Sequence, residues 1–143
     1  MPIRKADAVW HGTLKEGAGT VKSGSGTFDL PYTWKARFEE EANKANPEEL
    51  LGAAHAGCYA MFLSALLTNA GFTPTRISAT ADVSLSRDDR GPVIDAIVLH
   101  VEADVPGVSQ AQFDELAAKS KAGCPISRAL ASTPITLNAK LVS

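Results

Sequence analysis

Two cysteines occur in this chain of 143 residues, and each stands where a thiol is chemically unusual. Cys58 lies inside a long apolar stretch, Leu50-Leu51-Gly52-Ala53-Ala54-His55-Ala56-Gly57-Cys58-Tyr59-Ala60-Met61-Phe62-Leu63, and Cys124 lies in Gly123-Cys124-Pro125-Ile126-Ser127, at a helix start. A thiol reacts as its thiolate, so the surroundings that lower its pKa decide which sulfur attacks. Cys124, as N-cap before Pro125, meets unpaired backbone N–H groups and the positive end of a helix dipole. Cys58, mid-helix among apolar side chains, has a raised pKa and stays inert unless a cation is brought to it. The two are 66 positions apart, so only tertiary folding joins them. If it does, they form a reversible dithiol–disulfide couple, and redox chemistry is the first expectation.

Arg37, in the segment before the apolar stretch, is the cation at hand. Glu48 precedes Cys58 by ten residues. On a helix that is about 80° around the axis and about 15 Å along it, too far for direct contact but within the span of a bridging arginine. Glu49 falls on the opposite side and suits a capping role. Each residue also has a plain structural reading. A buried cysteine serves as a small hydrophobe, Cys124 as a simple cap, and Arg37 with its glutamates as a solvated charge cluster. His55, one turn before Cys58 on the same face, reads as a satisfied core histidine. His11 and His100 fall in strands and carry no chemistry. Two distant cysteines and three scattered histidines lack metal-ligand spacing. Phosphate-binding glycine loops and the nucleophile elbow are absent.

The elements that must position these residues follow from patterning. The length predicts one domain, 1–143, large enough for a core without staples. A hydrophobic share of 45%, a charged share of 21% and a net charge of −2 leave no electrostatic reason to bind nucleic acid or an anionic membrane. The first residues, Met1-Pro2-Ile3-Arg4-Lys5-Ala6-Asp7, have no apolar h-region. The apolar run 50–67, broken by Gly52, His55, Gly57 and Ser64, is read as too short to span a membrane. A cytoplasmic protein is expected, where a cysteine pair is catalytic or metal-binding more often than structural. Strands are predicted at 7–14, 20–23 and 26–30, with Pro31 ending that region and 35–45 a charged loop. Asn46 caps a helix with Pro47 in its first position and Glu48 and Glu49 in its first turn, ending at Gly71. It is apolar nearly all round, so sheet or a second subunit must cover it. Alternation predicts a hairpin of 77–87 and 93–105. Ser109 caps a helix over 110–121, a short helix runs 125–131, and 135–142 is a final strand. The order β-β-β-α-β-β-α-α-β, mostly antiparallel with helices on one side, is α+β.

The segments Asn46-Pro47-Glu48-Glu49-Leu50-Leu51-Gly52-Ala53-Ala54-His55-Ala56-Gly57-Cys58 and Ala122-Gly123-Cys124-Pro125-Ile126-Ser127 resemble those of the OsmC/Ohr family of bacterial thiol peroxidases, on the OsmC (osmotically inducible protein C) side. Trp10-His11-Gly12, Gly19-Thr20-Val21, Arg37-Phe38-Glu39, Ala70-Gly71-Phe72-Thr73-Pro74 and Thr80-Ala81-Asp82-Val83-Ser84-Leu85 extend the resemblance over essentially the whole chain. It implies an OsmC-like fold, with antiparallel sheets wrapped around long central helices in an intertwined homodimer. It makes Cys58 the peroxidatic cysteine, Cys124 the resolving cysteine, and Arg37 with Glu48 the assisting pair, Glu48 holding Arg37 through a bidentate contact. Local reasoning favours Cys124 as the more acidic thiol; the resemblance reverses this and demands tertiary activation of Cys58 by arginine. The implied partners are a hydroperoxide substrate and an external dithiol reductant, lipoyl-type dithiols among the candidates, with no cofactor and no metal. Phe38, Tyr59, Met61 and Phe62 are the expected apolar walls, favouring an organic hydroperoxide over hydrogen peroxide. The alternatives are a redox sensor or binding module switched by the same disulfide, and a structural homodimer whose cysteines only pack.

Overall fold

A computed structural model describes residues 1–143. The chain divides into two compact units, 1–50 and 51–143, with the boundary inside one helix.

The first unit is a three-stranded antiparallel meander of β1 (Ala6–His11), β2 (Ala18–Ser23) and β3 (Asp29–Tyr32). Gly19 is the hinge of its packing. It pairs with Trp10 on one side and Tyr32 on the other. Those rings meet edge-on across it, 5.2 Å between centroids. A Cβ at Gly19 would lie 2.6 Å from Tyr32 Cε1 and 2.8 Å from Trp10 Cε3, so only glycine admits this aromatic contact. Two sequence expectations are corrected here. Pro31 does not end the region but sits inside β3, paired with Thr20. β3 is an edge strand, where the missing N–H of proline costs no ladder bond, and the Pro31 carbonyl accepts from Ala45 N–H at 2.8 Å. The charged segment after it is not all loop: α1 (Trp34–Phe38) is a single helical turn or so, capped by Thr33 Oγ1, which accepts from Ala36 N–H at 3.1 Å. A β-rich neighbourhood and a run of charges hide so short a helix from pattern reading.

α2 (Pro47–Asn69) opens as expected, with Asn46 Oδ1 accepting from Glu49 N–H at 2.8 Å. It closes in a Schellman motif: Phe72 N–H reaches Leu67 O at 2.9 Å, and Gly71 N–H reaches Thr68 O at 3.0 Å. Gly71 takes φ +95°, the left-handed conformation this ending needs. α2 has 23 residues and an 18-residue window of mean hydropathy 1.6, long and apolar enough to cross a membrane, which corrects the shorter run read from sequence. Core helices pass the same test, and in this fold Tyr59, Leu63 and Leu67 are sealed inside protein.

The second unit is built on β4 (Arg76–Asp88) and β5 (Gly91–Asp104), a long antiparallel hairpin with a bulge at Ser84/Leu85. α3 (Gln110–Gly123) and α4 (Pro125–Ala129) follow, then β6 (Ile135–Leu141). β6 pairs with β5 in parallel, an exception to the otherwise antiparallel sheets. A parallel return needs a crossover, and α3 and α4 supply it. Ser109 and Gln112 close a full capping box at the start of α3. The core forms where one face of β5 (Leu99, Val101, Ala103) meets Tyr59, Leu63 and Leu67 of α2 and Phe113 and Ala117 of α3. Burying a side chain such as Leu63 or Phe113 contributes about 1.5–3 kcal/mol each. The result is an α+β fold with central helices against antiparallel-dominated sheet.

Candidate active site

Folding brings the two sulfurs together. Cys58 is half-buried on α2, Cys124 is fully buried between α3 and α4, and both are free thiols, near enough for Cys124 to raise the Cys58 pKa. Cys124 serves both flanking helices. Its backbone N–H closes α3 on Ser120 O at 3.0 Å, and its sulfur caps α4, accepting from Ser127 N–H at 3.3 Å. Its extended conformation, φ −61° and ψ 137°, breaks the helical path so that the side chain turns in toward α2.

Burial pushes the Cys58 thiol pKa up, the direction expected for a mid-helix sulfur, and the neighbouring Cys124 adds to the rise. The Ile126 backbone N–H opposes it by favouring the thiolate. Thus α4 offers a donor to Cys58 as well as seating Cys124. That role of Ile126 is not legible in the sequence, because a backbone donor leaves no mark in residue type.

Arg37 and Glu48 also meet. Arg37 Nε donates to Glu48 Oε1 at 3.0 Å, and Nη2 lies 2.9 Å from the same oxygen. This is not the two-oxygen fork expected for a bidentate pair: both nitrogens converge on Oε1, while the buried Oε2 has no partner. Glu48 is buried and Arg37 is more than a third exposed. The Arg37 guanidinium also lies 5.5 Å above the Phe38 ring. Beside it is a cavity of about 200 Å³ walled by Trp10, Tyr32, Trp34, Phe38 and Pro47. Of the expected apolar walls, Phe38 lines this cavity. Tyr59 does not serve as a wall: it is fully buried and donates its hydroxyl to Ala117 O at 3.0 Å. Met61 points outward, 78% exposed, and Phe62 packs over Gly123.

Two polar residues near the thiols carry more than the sequence pattern assigns them. His55 is fully buried, with Nε2 2.7 Å from Ser127 Oγ, while its Nδ1 has no partner. The expectation of a fully satisfied core histidine therefore fails at one nitrogen. Ser127 Oγ accepts from Cys124 Sγ at 3.3 Å. The signal was present in the Cys-Pro-Ile-Ser spacing, which sets Ser127 one turn after Cys124.

The sequence pattern of the family described as OsmC-like protein matches residues 40–140. "Peroxiredoxin OsmC" of Escherichia coli (strain K12) is 49% identical over 141 residues, 98% of this chain and 97% of that protein. Among solved structures, an OsmC like protein from Mycoplasma pneumoniae superposes with TM-score 0.75 at 23% identity, covering 99% of both chains. An organic hydroperoxide resistance protein from Elizabethkingia anophelis gives TM-score 0.72 at 22% identity, covering 98% of this chain and 96% of that one. The match over residues 40–140 and the 49% identity over nearly the whole chain show that the chain belongs to the OsmC-like protein family.

Proposed function

We propose that this protein is a two-cysteine thiol peroxidase that reduces organic hydroperoxides. The observation that carries the reading is that folding sets Cys124 close enough to Cys58, across 66 positions of sequence, to shift its pKa. The 49% identity to a peroxiredoxin over nearly the whole chain supports the same activity.

In the first step the Cys58 thiolate attacks the distal peroxide oxygen, the O–O bond breaks, and the departing alkoxide takes up the proton Cys58 lost on ionising, leaving an alcohol and Cys58 sulfenic acid. The role proposed for Arg37, carried over from the family resemblance, is to lower the Cys58 pKa and steady the charge that develops on the peroxide oxygens. Glu48 fixes Arg37, a charge-assisted contact supported by the two short approaches to Oε1. Cys124 then attacks the Cys58 sulfur, closing the disulfide and releasing water. An external dithiol reopens it by exchange. The apolar run around Cys58 supports an alkyl or aryl hydroperoxide over hydrogen peroxide.

The working unit in this reading is a homodimer. α2 leaves Ala53, Gly57, Met61 and Ala65 exposed along one line at helical spacing, an apolar stripe that water is a poor neighbour for.

The direct test is dithiol-dependent turnover with cumene hydroperoxide and with hydrogen peroxide. Faster turnover of cumene hydroperoxide, abolished in Cys58→Ser, is expected. Equal or inverted preference contradicts the apolar site, and activity surviving in Cys58→Ser contradicts the mechanism.

A further inference from the structure

We infer that Ser127 and His55 form a proton relay for Cys124 in the disulfide-closing step. The inference rests on the reading of Cys58 as attacking and Cys124 as resolving sulfur, and it concerns a step that reading leaves unexplained. Cys124 is sealed from solvent, yet it must lose a proton to attack. A buried thiol has no water at hand to receive that proton, so a side chain must. Ser127 Oγ lies 3.3 Å from Cys124 Sγ, and His55 Nε2 lies 2.7 Å from Ser127 Oγ. The three side chains thus form one continuous hydrogen-bonded line, thiol to hydroxyl to imidazole, drawn from α4 and α2.

The state of His55 fits this use. Burial lowers its pKa and so favours the neutral ring, whose Nε2 can accept from the Ser127 hydroxyl. A proton it takes is held weakly and soon returned. Its Nδ1, buried and unpartnered, has no carboxylate that would stabilise the charged ring. A purely structural histidine would be expected to satisfy both nitrogens.

In the closing step the Cys124 S–H proton passes to Ser127 Oγ as the Ser127 hydroxyl proton passes to His55 Nε2. The electron pair freed on Cys124 forms the S–S bond with Cys58. The S–O bond of the Cys58 sulfenic acid breaks, and its oxygen leaves with that bonding pair as hydroxide. His55 gives up the borrowed proton, which neutralises the hydroxide to water. Cys124 is oxidised, the sulfenic sulfur is reduced, and one water is formed. Ser127 touches the reacting sulfur; His55 acts through Ser127 and is a positioning residue.

The test is a single turnover of the full-length protein with one equivalent of cumene hydroperoxide, quenched at intervals and read by mass for Cys58 sulfenate (as its dimedone adduct) and for disulfide. In Ser127→Ala, sulfenate should form at close to the unaltered rate while closure slows about 100-fold, the usual scale for losing a positioned base. Ser127→Thr, which keeps the hydroxyl, should restore closure. His55→Gln, which keeps a hydrogen bond but not the base, should slow closure like Ser127→Ala. The unaltered protein should also close more slowly in heavy water, a readout that needs no variant to fold. Closure at the unaltered rate in Ser127→Ala and His55→Gln, or no heavy-water effect, overturns the relay alone. An unaltered protein that forms sulfenate but never a disulfide overturns the two-thiol reading and the relay with it.

Discussion

Cys58 is poorly suited to attack on its local chemistry alone. Burial raises its pKa, the Cys124 sulfur raises it further, and one backbone N–H from Ile126 opposes them. At neutral pH a thiol so placed is mostly protonated, and the thiolate is the nucleophile. The proposed role of Arg37 is to reverse that balance, and it can be read from a pH profile. In Arg37→Met the cation is gone and burial governs, so the midpoint for sulfenate formation should move upward in pH relative to the unaltered protein. The rate at pH 7 should fall about tenfold for every pH unit by which that midpoint rises. The check is stopped-flow oxidation by cumene hydroperoxide across the neutral and alkaline range. An unmoved midpoint would remove Arg37 from the activation of Cys58 and leave Ile126 as its one identified support.

At the scale of elements, α4 does more than its five residues would indicate. It seats Cys124, presents Ile126 N–H to Cys58, and ties itself to α2 through Ser127 and His55. That tie has a pH signature. His55 titrates below its ordinary value of 6.5 in the folded state because it is buried. As pH falls below about 6.5 the unfolded chain binds a proton that the folded chain resists, so stability falls, and it is fully present above that range. Urea midpoints at pH 7.5 and 5 should therefore differ more in the unaltered protein than in His55→Gln; equal differences would contradict a buried neutral ring. Much of this layer was legible in the sequence. Asn46-Pro47 marked the start of α2 and Gly71 its end, because caps and left-handed turns demand particular residue types. Ser109 and Cys124 marked the two later helix starts for the same reason. α1 was missed because a five-residue helix has no room for a periodic pattern. The parallel placement of β6 was missed because alternation states which face of a strand is buried, not which way its neighbour runs. The convergence of Arg37 on one oxygen of Glu48 is likewise tertiary geometry that residue type does not encode.

At the scale of the whole molecule, the apolar character of α2 exceeds what its own chain covers. Tyr59, Leu63 and Leu67 are sealed, while Met61, four residues before the next exposed alanine, is 78% exposed. Both properties follow from a helix that is apolar on every side with a core on only one. The homodimer reading gives the other side a cover, and Met61→Glu should then convert a dimer into monomers in sedimentation equilibrium. A monomeric unaltered protein would contradict that assembly without touching the thiol chemistry. The family resemblance read from the motifs around Cys58 and Cys124 holds across the chain, as the match over residues 40–140 and the full-length relative show. The central claim is that these two sulfurs act in sequence on one peroxide, and intact mass after one equivalent of hydroperoxide tests it most directly. The expected result is the loss of two hydrogens with Cys58 linked to Cys124, and in Cys124→Ser the gain of one oxygen on Cys58 with no disulfide. Two unlinked thiols remaining after peroxide is added, or oxygen carried by Cys124 rather than Cys58, would contradict it.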